Sequence, residues 1–415
     1  MMVQYRENLG GIVRSLLAAL LLLVAGCQPR APAIPADSDT RPIGEILAER
    51  GLAAADAALA ARQQSPETAF QLGGVRFLRA FETMLQTRYA SFDGDVGFLP
   101  GMRTPLPTNP DAKFDPAFLE NALTSALMHL KGAEAALAPA VNGEFATSLP
   151  LKSIWLDVDR DGKRGDWESL DVLLAGMGAS ADWSQSDGTV RFDTADAEWL
   201  AAYVHMLSGM SEFVLSLDPT PAIRTVYEGR VRLERAGSLA PDPIFGDDDV
   251  IDQIASVLLT LEGKPDAART RSALEHFRQM IAHNRKFWPE MMAETDNDHE
   301  WLPNPKQTSP FGVVITDEVG SSWQEVLAEI DDILAGRTLI PYWRASYSFD
   351  TPERGVGINL RKMLSDPGDM NLVLLIHGAA VAPYLETGRL ATMDAWNRFT
   401  AMTQSDGLLI ALLLN

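Results

Sequence analysis

Apolar residues recur along most of this chain at the spacing of a helix face. In 194–217, Trp199, Tyr203, Leu207, Met210, Val214 and Leu217 return every three to four positions. Asp193 or Thr194 is placed to cap that helix and Asp218-Pro219 to end it. A second helix opens at Asp115-Pro116, with Pro at its first helical position, and buries Leu119, Leu123, Leu127 and Leu130. Residues 266–293 carry Leu274, Phe277, Ile281, Trp288 and Met291. Residues 316–335 carry Val319, Trp323, Val326, Leu327, Ile330 and Leu334, with Gly336 set to stop the helix. Shorter helices are predicted near 45–62, 68–88, 168–176, 248–262, 371–386 and 392–403.

Alternating patterns of the strand kind are few. They are confined to 338–344, where Pro341 is expected to hold the strand at a sheet edge, and to 189–192. The expected fold class is therefore all-α or mostly α, a multi-helix body with few short strands. No fixed repeat period emerges. Pro and Gly cluster at 238–247, where the body 43–415 could divide; the other reading is a loop within one domain.

The first residues follow another pattern. Arg6 and Arg14 precede the apolar run Ser15–Val24, which ends in Ala25-Gly26-Cys27. Residues 15–26 are too few to cross roughly 30 Å of hydrocarbon as a helix, and small residues at the end of a short apolar core read as a signal peptide, 1–26. Val24-Ala25-Gly26-Cys27 resembles the lipobox of bacterial lipoproteins. The resemblance implies that Cys27 carries a diacylglyceryl group after cleavage just before it. Each buried CH₂ of such chains contributes about 0.8 kcal/mol, so two or three chains hold a protein stably on a membrane. Gln28, where Asp would retain a Gram-negative lipoprotein at the inner membrane, implies the periplasmic face of the outer membrane. Residues 27–42 are Pro-rich and read as an extended tether, reaching on the order of 45 Å.

Cys27 is the single cysteine, so no intramolecular disulfide forms. The net charge of −21 opposes binding to nucleic acid and to anionic headgroups, and suits cations, cationic partners or plain solubility.

The most specific motif is Asp157-Val158-Asp159-Arg160-Asp161-Gly162-Lys163-Arg164-Gly165-Asp166-Trp167-Glu168. It resembles the Ca²⁺ loop of the EF-hand family. The resemblance assigns Asp157, Asp159 and Asp161 to the first, third and fifth ligand positions and Gly162 to the sharp turn. Lys163 supplies a backbone carbonyl, and Glu168 is the bidentate ligand. A hard cation needs six to eight oxygens, and alternate side chains of a tight loop converge on one centre. The likeness covers twelve residues only. The eighth position, usually aliphatic, is Arg164; the segment before the loop, Leu149–Leu156, contains Pro150 and does not read as an entering helix; only the exit from Trp167 does. Arg160, Lys163 and Arg164 weaken the site. The expectation is a lone loop holding Ca²⁺, not half of a paired switch.

Other constellations are weaker. Glu294, Asp296, Asp298 and Glu300 alternate without the Gly an EF-hand turn needs, and read first as a solvated acidic loop. His276 and His283 share a helix face, but zinc requires further ligands, and no HExxH or paired-Cys pattern is present. Ile376-His377-Gly378 is similar to the His-Gly before the oxyanion loop of α/β-hydrolases, yet no G-x-S-x-G exists. Large aromatics crowd 287–344: Phe287, Trp288, Trp301, Phe311, Trp323, Tyr342 and Trp343. They are expected to form core more than a cleft.

The expected function is a calcium-binding, lipid-anchored envelope protein with a binding or scaffolding role toward another envelope protein or ligand, and not an enzyme. The alternative is an envelope hydrolase built on Asp296, Asp298, His299 and Glu300. A convergent acid–base pair in a deep pocket favours the enzyme; broad exposed apolar surface favours the binding protein.

Overall fold

The computed structural model describes residues 39–91, 106–172, 188–237, 248–309, 314–345 and 353–402. Cys27, the signal peptide and most of the tether, the possible boundary at 238–247, and Phe311 lie outside them.

The described residues are mostly α-helical. In chain order the elements are α1 (Ile43–Ala61), α2 (Pro66–Ser91), α3 (Phe118–Leu137), β1 (Ala146–Pro150), β2 (Thr189–Asp193), α4 (Thr194–Ser216), α5 (Thr220–Arg235), α6 (Asp248–Thr260) and α7 (Ala267–Ala293). There follow α8 (Asp317–Leu334), β3 (Thr338–Pro341), β4 (Arg354–Ile358), α9 (Leu360–Ser365), α10 (Leu372–His377), β5 (Leu385–Leu390) and α11 (Asp394–Met402).

Four long helices make the bundle. α4 and α7 pack against each other along their length, α2 packs on α3, α3 joins α4, and α1 covers α2. Asp193 caps α4 as its position implies, its carboxylate accepting from the Ala195 amide at 3.0 Å. Asp266 caps α7 through the amides of Ala268 and Arg269. The cap-side expectation for α3 is corrected. Pro116 sits in a turn before the helix, closed by Asp115 accepting from Ala117, and the helix begins at Phe118. Phe287, Ile281, Leu327, Phe399, Leu130 and Ile46 are fully buried in one continuous core. Each such side chain contributes roughly 1.5–3 kcal/mol.

β1 pairs antiparallel with β2, from Ala146 opposite Asp193 to Pro150 opposite Thr189. β3, β4 and β5 each pair with the other two. β3 is therefore no edge strand; Pro341 is tolerated because it is the last residue, facing Gly357. The predicted helix 371–386 is also shorter. It stops at His377, where Gly378 takes φ 92° and donates to Leu374 O at 2.8 Å, and the chain then turns into β5. The His377-Gly378 pair is thus a helix C-terminus.

Among the described residues no single helix is long and apolar enough to cross a membrane. α4 and α5 meet that criterion only as a pair bent by 63°, and α4 is mostly buried in the bundle.

Candidate metal centre

The loop 157–168 closes on a short stem. Trp155 and Ser169 form an antiparallel bridge, and Leu156 N donates to Glu168 O at 2.9 Å. Inside it, the short acidic side chains fold back on the backbone as Asp residues do in turns. Gly162 N donates to Asp157 Oδ1 at 3.2 Å, Asp161 N to Asp159 Oδ1 at 3.0 Å, and Lys163 N to Asp161 Oδ1 at 2.7 Å. Gly162 adopts φ 72°, the left-handed turn expected of it, and Arg160 adopts φ 64°.

Glu168 is 1% exposed. Its Oε1 accepts from Val158 N at 2.7 Å and from Asp159 N at 3.3 Å, and its Oε2 accepts from Gly165 N at 2.8 Å. Burial pushes its carboxyl above the ordinary range against these three donors. The carboxylate oxygens of Asp157, Asp159 and Glu168 lie within 4.8 Å of one another. Asp161, the remaining expected side-chain ligand, is not among these converging carboxylates, and it is exposed, as are Asp159 and Lys163. Mutual repulsion of three carboxylates at such range is relieved by a divalent cation between them. The donor set, all oxygen, fits Ca²⁺.

Two residues that sequence reasoning missed hold the loop to the bundle. Glu82 on α2 accepts from Asp157 N at 3.0 Å, and Gln86 one turn later donates to Asp157 O at 2.7 Å and accepts from Arg160 Nε at 3.1 Å. Burial, with the charges of Asp157 and Glu168 adding to it, pushes the Glu82 carboxyl up to about 7. The signal available in the sequence was a Glu and a Gln spaced four apart, on one face of the helix. Trp167 stacks on Tyr89 at 5.6 Å between ring centroids. Trp155, entering the loop, donates to Ala48 O of α1 at 3.2 Å.

The exit differs from expectation. Residues Asp166–Glu168 form a 3₁₀ turn; residues 170–172 are helical, and the remainder of the predicted helix 168–176 lies outside the described residues. The entry holds no α-helix, as Pro150 implies: β1 ends at Pro150 and a 3₁₀ turn at Leu151–Ser153 leads into the loop.

The acidic run 294–300 is more structured than a solvated loop. Glu294 and Glu300 converge with Asp193 within 4.8 Å. The Arg191 guanidinium lies among them, 3.7 Å from Asp193, 3.6 Å from Glu300 and paired with Asp296. Burial, then the neighbouring Asp193 carboxylate, pushes Glu294 up to about 8. Gln307 donates to Glu294 at 3.1 Å, and Asn304 donates to the carbonyls of Met291 and Glu294 that end α7. Asp298 and His299 sit on the exposed turn, with Asp298 at the rim of an open polar cleft that also includes Glu45, Arg62, Glu67 and Arg191. The aromatics of 287–344 go elsewhere. Phe287, Trp288 and Trp323 are core; Trp301 packs on Trp199 and Phe192, and Trp343 is exposed.

His276 and His283 share a face of α7, and the bundle brings His205 of α4 against both. Their ring centroids are 5.1 and 5.4 Å from that of His205. Comparison with known protein families, curated proteins and solved structures finds no match to this chain.

Proposed function

We propose that this chain is a calcium-binding lipoprotein of the cell envelope, anchored through Cys27, in which one structural Ca²⁺ at 157–168 braces a helical body with a binding role. The observation that carries the reading is the closed loop itself, which gathers Asp157, Asp159 and Glu168 within 4.8 Å on a stem tied to α1 and α2. An ion there is coupled to the core. The strand and 3₁₀ turn that lead into the loop supply no entering α-helix, so there is no pair of helices to swing apart, which supports a structural site over a sensor.

Exposed apolar side chains support binding over catalysis. Ile254 and Leu258 of α6 are 43% and 41% exposed, and Val373 and Ile376 of α10 are 71% and 68% exposed. Calorimetric titration of the purified protein with Ca²⁺ tests the site: one saturable ion in the wild type and none in Glu168→Ala is expected. Cell fractionation tests the anchor. Cys27→Ser should leave the membrane fraction, and full retention there contradicts the lipid attachment.

A further inference from the structure

The three histidines of the bundle are not equivalent. α4 and α7 run antiparallel, with Glu198 paired to Lys286 near one end and Glu212 to Arg269 near the other. Seven residues are close to two helical turns, so Glu198 and His205 share a face of α4, and His276 and His283 share a face of α7. The rings line up as His276, His205, His283. His283 is already engaged: it bonds the buried Glu198, whose other oxygen accepts from Lys286 at 3.1 Å. At the opposite end the nitrogens of two rings aim at each other. His205 Nδ1 and His276 Nδ1 are 2.8 Å apart, and a carboxylate oxygen of Glu134 on α3 lies within 4.8 Å of a ring nitrogen of each histidine.

We propose that Glu134, His205 and His276 form a divalent transition-metal site of zinc type at the junction of α3, α4 and α7. Two imidazole nitrogens and one carboxylate are a donor set that zinc takes with an open fourth position, and that calcium, which takes oxygen ligands, does not. Two nitrogens each about 2.05 Å from a tetrahedral ion stand about 3.3 Å apart, so the pair at 2.8 Å needs to open by only a few tenths of an ångström to admit one. His205 is buried, which fixes its ring from the α4 side, whereas Glu134 is exposed and leaves the fourth position open to water. His283, stacked on His205 at an interplanar angle of 17° and anchored by Glu198, is a positioning residue for that ring. The site shares no ligand with the loop 157–168, so the two stand or fall separately.

The test uses the purified full-length protein in detergent, stripped with chelator and resupplied with Ca²⁺. It is titrated with Zn²⁺ by calorimetry and with Co²⁺ by visible absorption, which reports nitrogen ligation. The expected result is one Zn²⁺ per chain, unchanged in Glu168→Ala. Affinity should fall by more than about 100-fold in His276→Ala and by about tenfold or more in Glu134→Gln. Glu134 is exposed, so Glu134→Gln should melt like the wild type without metal, which separates loss of the site from loss of the fold. A wild type that takes up no Zn²⁺ overturns the proposal. So does Zn²⁺ binding that survives both substitutions, which places the metal on the acidic surface and leaves the His205–His276 contact as a hydrogen bond of the core.

Discussion

Trp323 faces inward from α8, 5% exposed, with its ring centroid 5.1 Å from that of Phe399 on α11. Trp323→Ala should cost about 3–5 kcal/mol in denaturant unfolding; near-native stability would mean the aromatic segment is not core. Glu294 makes a prediction of the opposite kind. Its folded pKa, about 8, lies above the ordinary 4.5, so the folded state holds that proton more tightly than the unfolded one. Its contribution is favourable at low pH and is lost as pH rises from about 4.5 toward 8. Glu294→Gln, which keeps an oxygen for Gln307, should therefore melt above the wild type at pH 8, with the gap narrowing at pH 5. A gap independent of pH would contradict this. At this scale the candidate calcium ligands were legible because all of them lie in twelve consecutive residues. Glu82 and Gln86 were not, because they meet the loop across more than seventy residues of sequence. His205 and Glu134 were hidden in the same way: nothing local links them to His276.

The elements show which patterns carry information. α1 bends at Gly51, whose φ 72° and ψ −173° form a backbone conformation open essentially to glycine alone. The bend coincides with Trp155, which bonds Ala48 O, and a Cβ on Gly51 would stand 3.1 Å from the indole. Gly51→Ala should destabilise by about 1–3 kcal/mol in thermal or denaturant unfolding; an unchanged midpoint would mean that the bend is not required. The long helices α4, α7 and α8 were read within a few residues of their ends, because each carries a periodic apolar pattern and begins at an Asp or Thr cap, Asp193, Asp266 and Thr316, of which the first was expected. α5 was missed for a physical reason. It buries little beyond Thr220 and Ala222 and is dressed with ion pairs one turn apart, Arg230–Glu234 and Arg232–Glu228, so no apolar stripe marks it. β1, β4 and β5 were missed because they are short, and β4 and β5 also carry glycines. Their pairing is decided by distant partners, not by alternation. α6 is the contrasting case, a helix with a clear apolar face that stays exposed. Ile254→Lys should move stability by no more than about 0.5 kcal/mol while lowering the binding of a hydrophobic dye. A large loss of stability would place that face inside the fold.

For the whole molecule, the mostly helical body is established, and the central proposal is that a single calcium ion ties its loop to two helices. Binding to the folded state alone stabilises by RT ln(1 + [L]/Kd). With Kd about 0.1 mM, in the range of extracellular-type loops, and roughly 2 mM free Ca²⁺, the gain is about 1.8 kcal/mol. For a body of this size that is a rise of a few degrees in melting temperature. Mg²⁺, which demands tighter octahedral geometry and sheds water reluctantly, should do much less. Thermal unfolding of the purified protein in chelator and in 2 mM Ca²⁺, with Glu168→Ala and Asp166→Ala alongside, is the most direct measurement. The account predicts that Ca²⁺ raises the midpoint of the wild type and of Asp166→Ala but not of Glu168→Ala. Superimposable curves for the wild type with and without Ca²⁺ would contradict it.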